Sequence, residues 1–521
     1  MKRTIALALS AAAICSVMMT AGCGRNRPTG NTTGASGSGS GSVSMTDGMP
    51  TLPDGTDGGS GSDTHSPENS TAPPTPHEDD PATVKPLGFE DLTFGGKTFR
   101  IATAEGTDPR WQSAKEIYSD ESDAISNAVR ERNGLVEALY DCKIEMIPSQ
   151  DPVGYTMAEV TANQHTVDVF SATGFGRSLS ESGNIYNLYD IGIDFSHEWW
   201  DPTFVSAYTV KTDSGADTLF ALMGDFCLSA FAATHAIIYN KNVMDTSGIT
   251  EDVYALVANR EWTMDKFTEM IRTAAKDASG NSVIAFEEGD VLGWARTAHA
   301  AHGLHTASAR PLIETKSGSF VFSPSDDPTA WTAIIDRAIG IWGTPGSETL
   351  GYTNVQKALV SSKALFASEV IDVLERIKDA ENISVGVLPY PLYSSAQERY
   401  AHYVDNHVFT YHVPVSVSET EEIGKFLEVF GYHSRHTVRE AFLNTYGYEY
   451  CSDPRAPEML ALIFDSRSYD PGYHYWSSTE SDLSNMITSS NNNIVKWTER
   501  KKNSLAGDIG NYVRSISEAR A

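Results

Sequence analysis

The sequence of 521 residues contains few cysteines and few basic residues. Of its five cysteines, Cys15 and Cys23 lie in an N-terminal segment, so Cys142, Cys227 and Cys451 remain for the rest of the chain. Three cysteines allow at most one disulfide, which excludes a disulfide scaffold and favours core cysteines at these positions. The 39 lysines and arginines are outnumbered by 68 aspartates and glutamates, giving a formal net charge of -29. This charge argues against nucleic acid as a partner, because nucleic-acid binding requires a basic face.

Long apolar runs are absent after the first residues of the chain. Two basic residues precede an apolar stretch, Ile5 to Met19, which is followed by Ala21-Gly22-Cys23. The pattern predicts a secretory signal peptide at residues 1–22, since the stretch is too short to span the roughly 30 Å of a bilayer core. The Ala-Gly-Cys ending resembles the lipobox of bacterial lipoproteins. That resemblance implies that Cys23 is lipidated and holds the chain on the extracytoplasmic side of the cell membrane.

Signals of catalysis are also absent. Phe94 to Thr98 has the Gly-Lys-Thr ending of a phosphate-binding loop, but Asp91 stands where that loop requires its first glycine. No Gly-x-Ser-x-Gly elbow is present. Paired carboxylates such as Glu287-Glu288 would count as a glycosidase pair only if a structure placed them about 5–10 Å apart. The sequence therefore predicts no catalytic residue and no cofactor.

Three histidines, His299, His302 and His305, recur at a spacing of three. Zinc sites favour histidine, but residues six apart in a helix point about 240° away from each other. No carboxylate or cysteine joins these histidines at ligand spacing. We therefore predict no metal site here.

A long segment after Cys23 has the composition of a linker. Residues 24 to about 86 are mainly Gly, Ser, Thr, Pro and Asp, with almost no large apolar residue. Such a segment cannot bury a core, so residues 23–86 are predicted to be the lipidated cysteine and a disordered tether with a reach of about 45 Å. The roughly 435 residues that follow are enough for two or three lobes.

The remaining chain begins with alternating strand and helix patterns. Lys97 to Thr103, 143–147 and 167–170 are typical of strands, and 123–140 and 157–163 are typical of helices. This alternation predicts an α/β lobe with a mainly parallel sheet.

Five further segments carry a resemblance to a known family. They are Ile238-Tyr239-Asn240-Lys241, Glu261 to Phe267, Lys363 to Phe366, Val385 to Pro391 and Ser468 to Tyr473. In this order and spacing they resemble the extracellular solute-binding proteins of ABC importers, in the family 1 oligosaccharide-binding class that includes the maltose-binding proteins. The resemblance covers nearly all of the folded part.

That resemblance implies a two-lobed, periplasmic-binding-protein-like α/β fold of type II, with a hinge between the lobes and a ligand cleft. Carried onto this chain, lobe 1 is 87–235 plus 365–412, and lobe 2 is 236–364 plus 413–521. The implied function is a monomeric receptor that captures a solute, expected to be an oligosaccharide, by lobe closure and delivers it to an ABC permease. The alternatives are a membrane-tethered carbohydrate-active enzyme and a surface sensor or adhesion module on the same fold.

Sugar binding requires flat apolar faces for C–H groups and a few polar groups for hydroxyls. Trp111 follows the first strand, and Thr173 and Gly174 follow the strand at 167–170. All three are therefore expected at the carboxyl edge of the first sheet, where open α/β sheets bind ligands. Packing in the core is the alternative for Trp111.

The resemblance and the loop positions add five candidates near the cleft: Asp225, Phe226, Trp294, Tyr475 and Trp476. Asp225 would accept hydrogen bonds from hydroxyls or, alternatively, cap a turn. Trp294 would offer an aromatic face from the second lobe or, alternatively, lie in the core. Tyr475 and Trp476 would form part of the cleft wall.

Overall fold

The structure is a computed structural model that describes residues 80–105 and 113–519. The predicted signal peptide, the lipidation site Cys23, most of the tether and Trp111 lie outside these residues and stay predictions. The tether ends earlier than predicted, because Pro81–Thr83 form a 3₁₀ turn in which Ala82 is buried. The carbonyl oxygen of Ala82 lies 3.0 Å from Nδ1 of His433. The described fold thus includes residues 80–86.

The strands are β1 Lys97–Ala104, β2 Cys142–Ser149, β3 Val169–Thr173, β4 Val210–Lys211, β5 Asp217–Thr218, β6 His235–Asn240, β7 Leu292–Arg296, β8 Ile313–Lys316, β9 Ser319–Phe322, β10 Ser347–Thr349, β11 Ala364–Val370, β12 Val385–Leu388, β13 His402–Tyr403, β14 Phe409–His412 and β15 Arg467–Ser468.

The α-helices are α1 Ala114–Ile117, α2 Ala124–Tyr140, α3 Pro152–Ala162, α4 Arg177–Ser182, α5 Pro202–Tyr208, α6 Leu228–Ala232, α7 Lys241–Thr246, α8 Val253–Ala258, α9 Met264–Ala274, α10 Ala300–Thr306, α11 Ser323–Asp326, α12 Pro328–Trp342, α13 Tyr352–Val360, α14 Val373–Ile377, α15 Thr420–Ser434, α16 Glu440–Asn444, α17 Ala456–Asp465, α18 Pro471–His474, α19 Ser477–Thr488 and α20 Ile494–Glu518. Further 3₁₀ turns lie at Leu188–Ile191 and Phe286–Glu288, and π-helical turns at Arg435–Arg439 and Thr445–Glu449.

The first sheet has the strand order β14-β3-β1-β2. Strand β1 runs parallel to β2 and β3, and β14 runs antiparallel to β3. Apolar side chains of β1 face the helices, and the ring of Phe99 stacks on Phe426 of α15 at 4.1 Å between centroids. Helix α2 begins at the predicted position because the Asp123 side chain accepts a hydrogen bond from Ser126 N at 2.9 Å.

The second sheet has the order β10-β7-β11-β6-β12, with β6 antiparallel to its neighbours. Residues 365–388 were predicted in lobe 1, but β11 pairs with β6 and β7, and β12 pairs with β6. Every residue of β11 is buried, which is typical of a central strand. The chain therefore returns to the first sheet only at β14. The rest of the predicted lobe division remains a prediction.

Three crossing segments join the two sheets. The first, residues 219–234, leads from the first sheet to β6, and its Leu222 bridges to Tyr411 of β14. The second, residues 389–408, leads back from β12 to β14. The third, residues 413–455, contains α15, which packs on α2, and leads to α17, which packs against β12.

Two of the recognised sequence segments have structural roles. Asn240 caps α7 by accepting a hydrogen bond from Val243 N at 2.9 Å, and its amide donates to Leu359 O at 2.9 Å. Thr263 caps α9, as predicted, and Trp262 Nε1 donates to Pro389 O at 2.8 Å. These segments therefore stabilise the second lobe.

The cysteines that the structure describes, Cys142, Cys227 and Cys451, are buried and form no disulfide. The prediction of core cysteines is confirmed. Among the described residues, no helix is both long and apolar enough to cross a membrane.

Gly293 of β7 lies against the end of α9. A Cβ atom at this position would come within 2.0 Å of the carbonyl oxygen of Ile271. Because backbone cannot move aside cheaply, we expect Gly293→Ala to lower the free energy of unfolding by about 3 kcal/mol, at the upper end of overpacking costs. Urea denaturation of the purified protein measures this change.

The matched control is Gly507→Ala on α20, where an added Cβ would meet nothing within 4 Å. This substitution should stabilise the helix by about 1 kcal/mol, since alanine has the higher helix propensity. Equal effects of the two substitutions would contradict the packing of α9 on β7.

Candidate functional site

A cavity of about 560 Å³ lies beside elements that follow the carboxyl ends of β1 and β11. Helix α1 contributes one wall and α14 another, and α6 of the first crossing segment lies between them. The volume is in the range of about 300–1,000 Å³ that small-molecule sites occupy. The lining residues are Lys115, Glu116, Glu121, Asp123, Ile125, Ser126, Leu228, Ser229, Ala232, Asp372, Glu375, Arg376, Lys378, Phe442 and Tyr446.

The wall from the first lobe contains a buried carboxyl group. Glu116 is 1% exposed and accepts hydrogen bonds from Ser229 N at 2.6 Å and from the Tyr411 hydroxyl. Burial raises the pKa of Glu116 to about 7, although these hydrogen bonds and the charge of Arg132 act in the opposite direction. Nearer the rim, Lys115 pairs with Glu121 at 2.7 Å. This wall therefore offers both charged donors and charged acceptors.

The wall from the second lobe carries a similar mixture. Arg376 pairs with Asp372 at 3.0 Å, and Lys378 lies 3.8 Å from Glu375. Glu375 also accepts a hydrogen bond from the Tyr446 hydroxyl at 3.3 Å. Paired carboxylates and cations of this kind can bind hydroxyl groups as acceptors and donors at once.

The third wall is aromatic. Phe442 and Tyr446 stack at 4.0 Å between ring centroids with an interplanar angle of 6°. Both lie between or within the π-helical turns at Arg435–Arg439 and Thr445–Glu449. Such turns are rare and frequently occur at functional sites. The aromatic pair adds apolar atoms to the cavity lining, but the two rings cover each other's faces and are 2% and 3% exposed.

A second group of polar side chains, the histidine patch, lies around the second crossing segment. It consists of His235, His299, His302, Asp405, His407 and Glu480. His235 Nε2 lies 3.7 Å from Asp405 Oδ2, and His407 Nδ1 lies 2.5 Å from Asp405 Oδ1. His302 Nδ1 lies 2.7 Å from Glu480 Oε1. The patch thus contains two imidazole–carboxylate groups, one at Asp405 and one at Glu480, and the His299 ring packs on His302 at 5.6 Å between centroids.

The charges of the histidine patch influence one another. Burial alone would raise the pKa of Asp405, but His235 and His407 hold it well below its usual value. Burial, followed by the charges of His235 and His302, lowers the pKa of His299. In residues 80–105 and 113–519, no three His, Cys, Asp or Glu side chains are placed to hold a metal ion.

Of the predicted carboxyl-edge residues, Thr173 and Gly174 lie next to the second crossing segment. Thr173 is exposed at the end of β3, and Gly174 N donates to Val408 O at 2.8 Å. A Cβ on Gly174 would lie 3.7 Å from the carbonyl oxygen of Asn406, so this edge is close to the histidine patch. Trp111 lies outside the described residues, four positions before Lys115.

Asp225 and Phe226 lie away from the cavity wall. Asp225 is buried and pairs with Arg435 at 2.9 Å and with Arg439 at 3.5 Å. Phe226 is 1% exposed and packs edge to face against Phe430 at 5.3 Å. Both side chains are thus occupied by protein contacts in this conformation.

The three remaining aromatic candidates are also buried. Trp294 is 0% exposed, donates to Ser368 Oγ at 2.8 Å and packs against Phe267. Tyr475 and Trp476 both pack against other aromatic side chains, including Phe320. None of these residues is among those that line the cavity. Ligand contact at the eight predicted positions stays a prediction.

Sequence reasoning missed the residues that line the cavity. They come from four separate segments, 115–126, 228–232, 372–378 and 442–446, and no single segment has an unusual composition. Only the position of two of these residues in the chain could have indicated the cavity. Lys115 follows β1 and Asp372 follows β11, at edges where α/β sheets bind ligands. The aromatic pair on the third crossing segment had no such signal.

No protein-family model matches this sequence, and no curated protein matches it. Solved structures are similar in fold. A cyclo/maltodextrin-binding protein complexed with maltotetraose is 12% identical with a TM-score of 0.50, covering 81% of this chain and 96% of that one. UspC of M. tuberculosis is 12% identical with a TM-score of 0.49, covering 81% and 100%. A family 1 extracellular solute-binding protein from Bifidobacterium longum subsp. infantis is 15% identical with a TM-score of 0.46, covering 82% and 99%.

The first of these similarities shows the fold. The chain has the two-lobed, periplasmic-binding-protein-like α/β fold, and the fold prediction is confirmed.

Proposed function

We propose that this chain is the solute receptor of an ABC importer and that it binds a carbohydrate in the cavity between its lobes. The cavity is the observation that supports the proposal, because it is bordered by elements that follow strands of both sheets. In a fold with two hinged lobes, a ligand that contacts both walls stabilises the closed arrangement. The proposal excludes catalysis.

The chemistry of the walls favours a polyhydroxylated solute. Arg376 and Lys115 can donate to hydroxyl oxygens, and Asp372 and Glu375 can accept from hydroxyls. The apolar part of the lining can contact C–H groups. The histidine patch and the edge at Thr173 and Gly174 provide further polar groups for a longer oligosaccharide.

The proposal also covers the membrane anchor of the receptor and its permease partner. Cys23 would carry the lipid anchor, residues 24–79 would form the tether, and the receptor would act as a monomer outside the membrane. Its macromolecular partner would be the membrane subunits of an ABC permease. Loss of membrane association in a Cys23→Ser variant, measured by fractionation of cells, tests the anchor.

Thermal unfolding of the purified protein with a panel of oligosaccharides, peptides and polyols tests the receptor function. The panel includes maltotetraose, the sugar bound by the similar structure. A ligand at 100 times its dissociation constant should add about 2.7 kcal/mol of stability. We expect one sugar class to do so without any product being formed.

Arg376→Ala should weaken binding of that sugar at least ~10-fold, because a hydrogen bond from a charged group contributes about 1.5–3 kcal/mol. Arg514→Ala, on the exposed surface of α20, is the control and should leave the dissociation constant unchanged. Cleaved sugar in the assay would favour the enzyme alternative. If no sugar in the panel raises the unfolding temperature, carbohydrate is excluded as the solute.

A further inference from the structure

The Glu116 side chain contacts the first crossing segment and also β14, the strand that follows the second crossing segment. Its Oε1 accepts the N–H of Ser229, in α6 of the first crossing segment, at 2.6 Å. Its Oε2 accepts the hydroxyl of Tyr411, on β14 where the second crossing segment ends. Ser229 Oγ in turn accepts Phe409 N at 3.1 Å. One buried carboxyl group therefore joins the first crossing segment to β14, where the second crossing segment ends.

Arg132 connects the same short helix to the third crossing segment. Its Nη2 donates to the main-chain oxygens of Glu116 at 2.9 Å and Ile117 at 3.2 Å. Its Nη1 lies 3.4 Å from Ser434 Oγ, and the guanidinium lies 4.0 Å above the ring of Phe430. Helix α1 is thus attached to α15, the first helix of that segment.

Helix α1 has only four residues, so it gains little stability from its own hydrogen bonds. Its position is set by these contacts. The same helix borders the cavity through Lys115 and Glu116. A solute that contacts α1 and shifts it therefore also shifts the Glu116 side chain, which contacts the first crossing segment and β14.

We propose that Glu116 is a positioning residue that couples occupation of the cavity to the arrangement of the crossing segments. The proposal rests on the proposed function, since it takes the cavity as the solute site. In it, Glu116 transmits a shift of α1 to Ser229 and Tyr411, and so to the parts of the chain that rotate when the lobes close.

The charges that face Glu116 are few. Arg132 on α2, Tyr411 on β14 and Cys227 before α6 interact with it electrostatically. Because burial raises the pKa of Glu116 to about 7, its carboxyl group changes charge near neutral pH. An ionised carboxylate accepts a stronger hydrogen bond than a neutral one. The link to Ser229 should therefore tighten as the pH rises through 7.

Hydrogen exchange of the purified, ligand-free protein provides the first test. In Glu116→Ala, the amide of Ser229 should exchange at least ~10-fold faster than in the wild type, because it loses its acceptor. The amide of Phe409 should also exchange faster, because its acceptor Ser229 Oγ is no longer held in place through the Ser229 amide. In Glu116→Gln, which keeps an acceptor for Ser229 N, the exchange rate should return to within about threefold of the wild type. The ratio of Gln-variant to wild-type rates at Ser229 should rise above pH 7 and stay near one below pH 6.

Glu159→Ala is the matched control. Glu159 is a buried carboxyl group on α3 of the same lobe, and it accepts the N–H of Thr166 without touching a crossing segment. Its replacement should leave exchange at Ser229 and Phe409 unchanged. Equal acceleration in both alanine variants would show general loss of stability and would overturn the coupling.

The second test adds a sugar, with maltotetraose as the probe. Binding should slow exchange at Phe409, which is not among the lining residues, in the wild type and in Glu116→Gln, and should fail to slow it in Glu116→Ala even at saturation. Protection in Glu116→Ala equal to that of the wild type would overturn the proposal. If maltotetraose does not bind the wild type, the proposed sugar specificity fails, while the ligand-free comparison still decides whether Glu116 holds the crossing segments.

Discussion

Lowering the pH from 7 to 5 should unfold much of this protein. Five histidines carry the effect: burial lowers the pKa of His305 and His402 to about 3, and that of His412, His433 and His474 to about 4. In the unfolded chain a histidine titrates near pH 6.5. Between these values the unfolded state binds more protons, so stability falls as the pH falls.

The expected loss is large. Each of these histidines contributes about 2 kcal/mol of stability at pH 7 that is lost by pH 5, which gives about 10 kcal/mol for the set. Burial raises the pKa of Glu116 and Asp470 to about 7, so these two groups act oppositely and offset about 4 kcal/mol over the same window. A net loss of about 6 kcal/mol is comparable to the whole stability of many domains.

Tryptophan fluorescence and circular dichroism against pH measure this transition. His305→Gln should reduce the number of protons taken up on unfolding at pH 5.5 by about one, since His305 is 1% exposed. A protein that remains folded and fully stable at pH 4 would contradict the burial of these imidazoles.

The sequence indicated the scaffold more accurately than the site. Alternating strand and helix patterns predicted the α/β fold, and local capping at Asp123 and Thr263 set helix starts where expected. These features depend on neighbouring residues and are visible in a single segment. The segments recognised as typical of the family, such as the one at Asn240, have capping and packing contacts in the structure.

The site was harder to predict because its parts are distant in sequence. Trp294 was chosen as an aromatic candidate, yet it is fully buried between β7, α9 and β11, as large aromatic side chains often are. Phe442 and Tyr446 reach the cavity through π-helical turns, which have no simple sequence pattern. The placement of residues 365–388 in lobe 1 was implied by the resemblance alone, and β11, as a fully buried strand, has no alternation that could have shown which sheet it joins.

The segment Ser468 to Tyr473, also recognised from the sequence, adjoins a buried ion pair that should be critical for stability. Arg467 Nη2 lies 2.8 Å from Asp201 Oδ2, and the Tyr469 hydroxyl donates to the same oxygen at 2.8 Å. Asp201 Oδ1 caps α5 by accepting the N–H groups of Thr203 and Phe204. One carboxylate thus fixes β15 and the start of α5 together.

Arg467→Met should lower the free energy of unfolding by about 3–5 kcal/mol, because it leaves the Asp201 carboxylate buried without its counter-charge. Urea denaturation at pH 7 measures the change. The double variant Asp201→Asn with Arg467→Met should lose less than the single Arg467→Met variant, since the uncompensated charge is then removed as well. A smaller loss of stability in the double variant than in Arg467→Met would show that the cost is electrostatic, because a simple loss of packing would be at least as large in the double variant.

Lys425→Met provides the comparison at the surface. Lys425 pairs with Glu421 at 2.8 Å, but both side chains are exposed, and such pairs contribute about 0–1 kcal/mol. The two substitutions remove the same kind of ion pair and differ mainly in burial. If Arg467→Met costs no more than Lys425→Met, the Asp201 carboxylate must gain water or a proton when Arg467 is removed. In that case Asp201 would not require Arg467 to join β15 to α5.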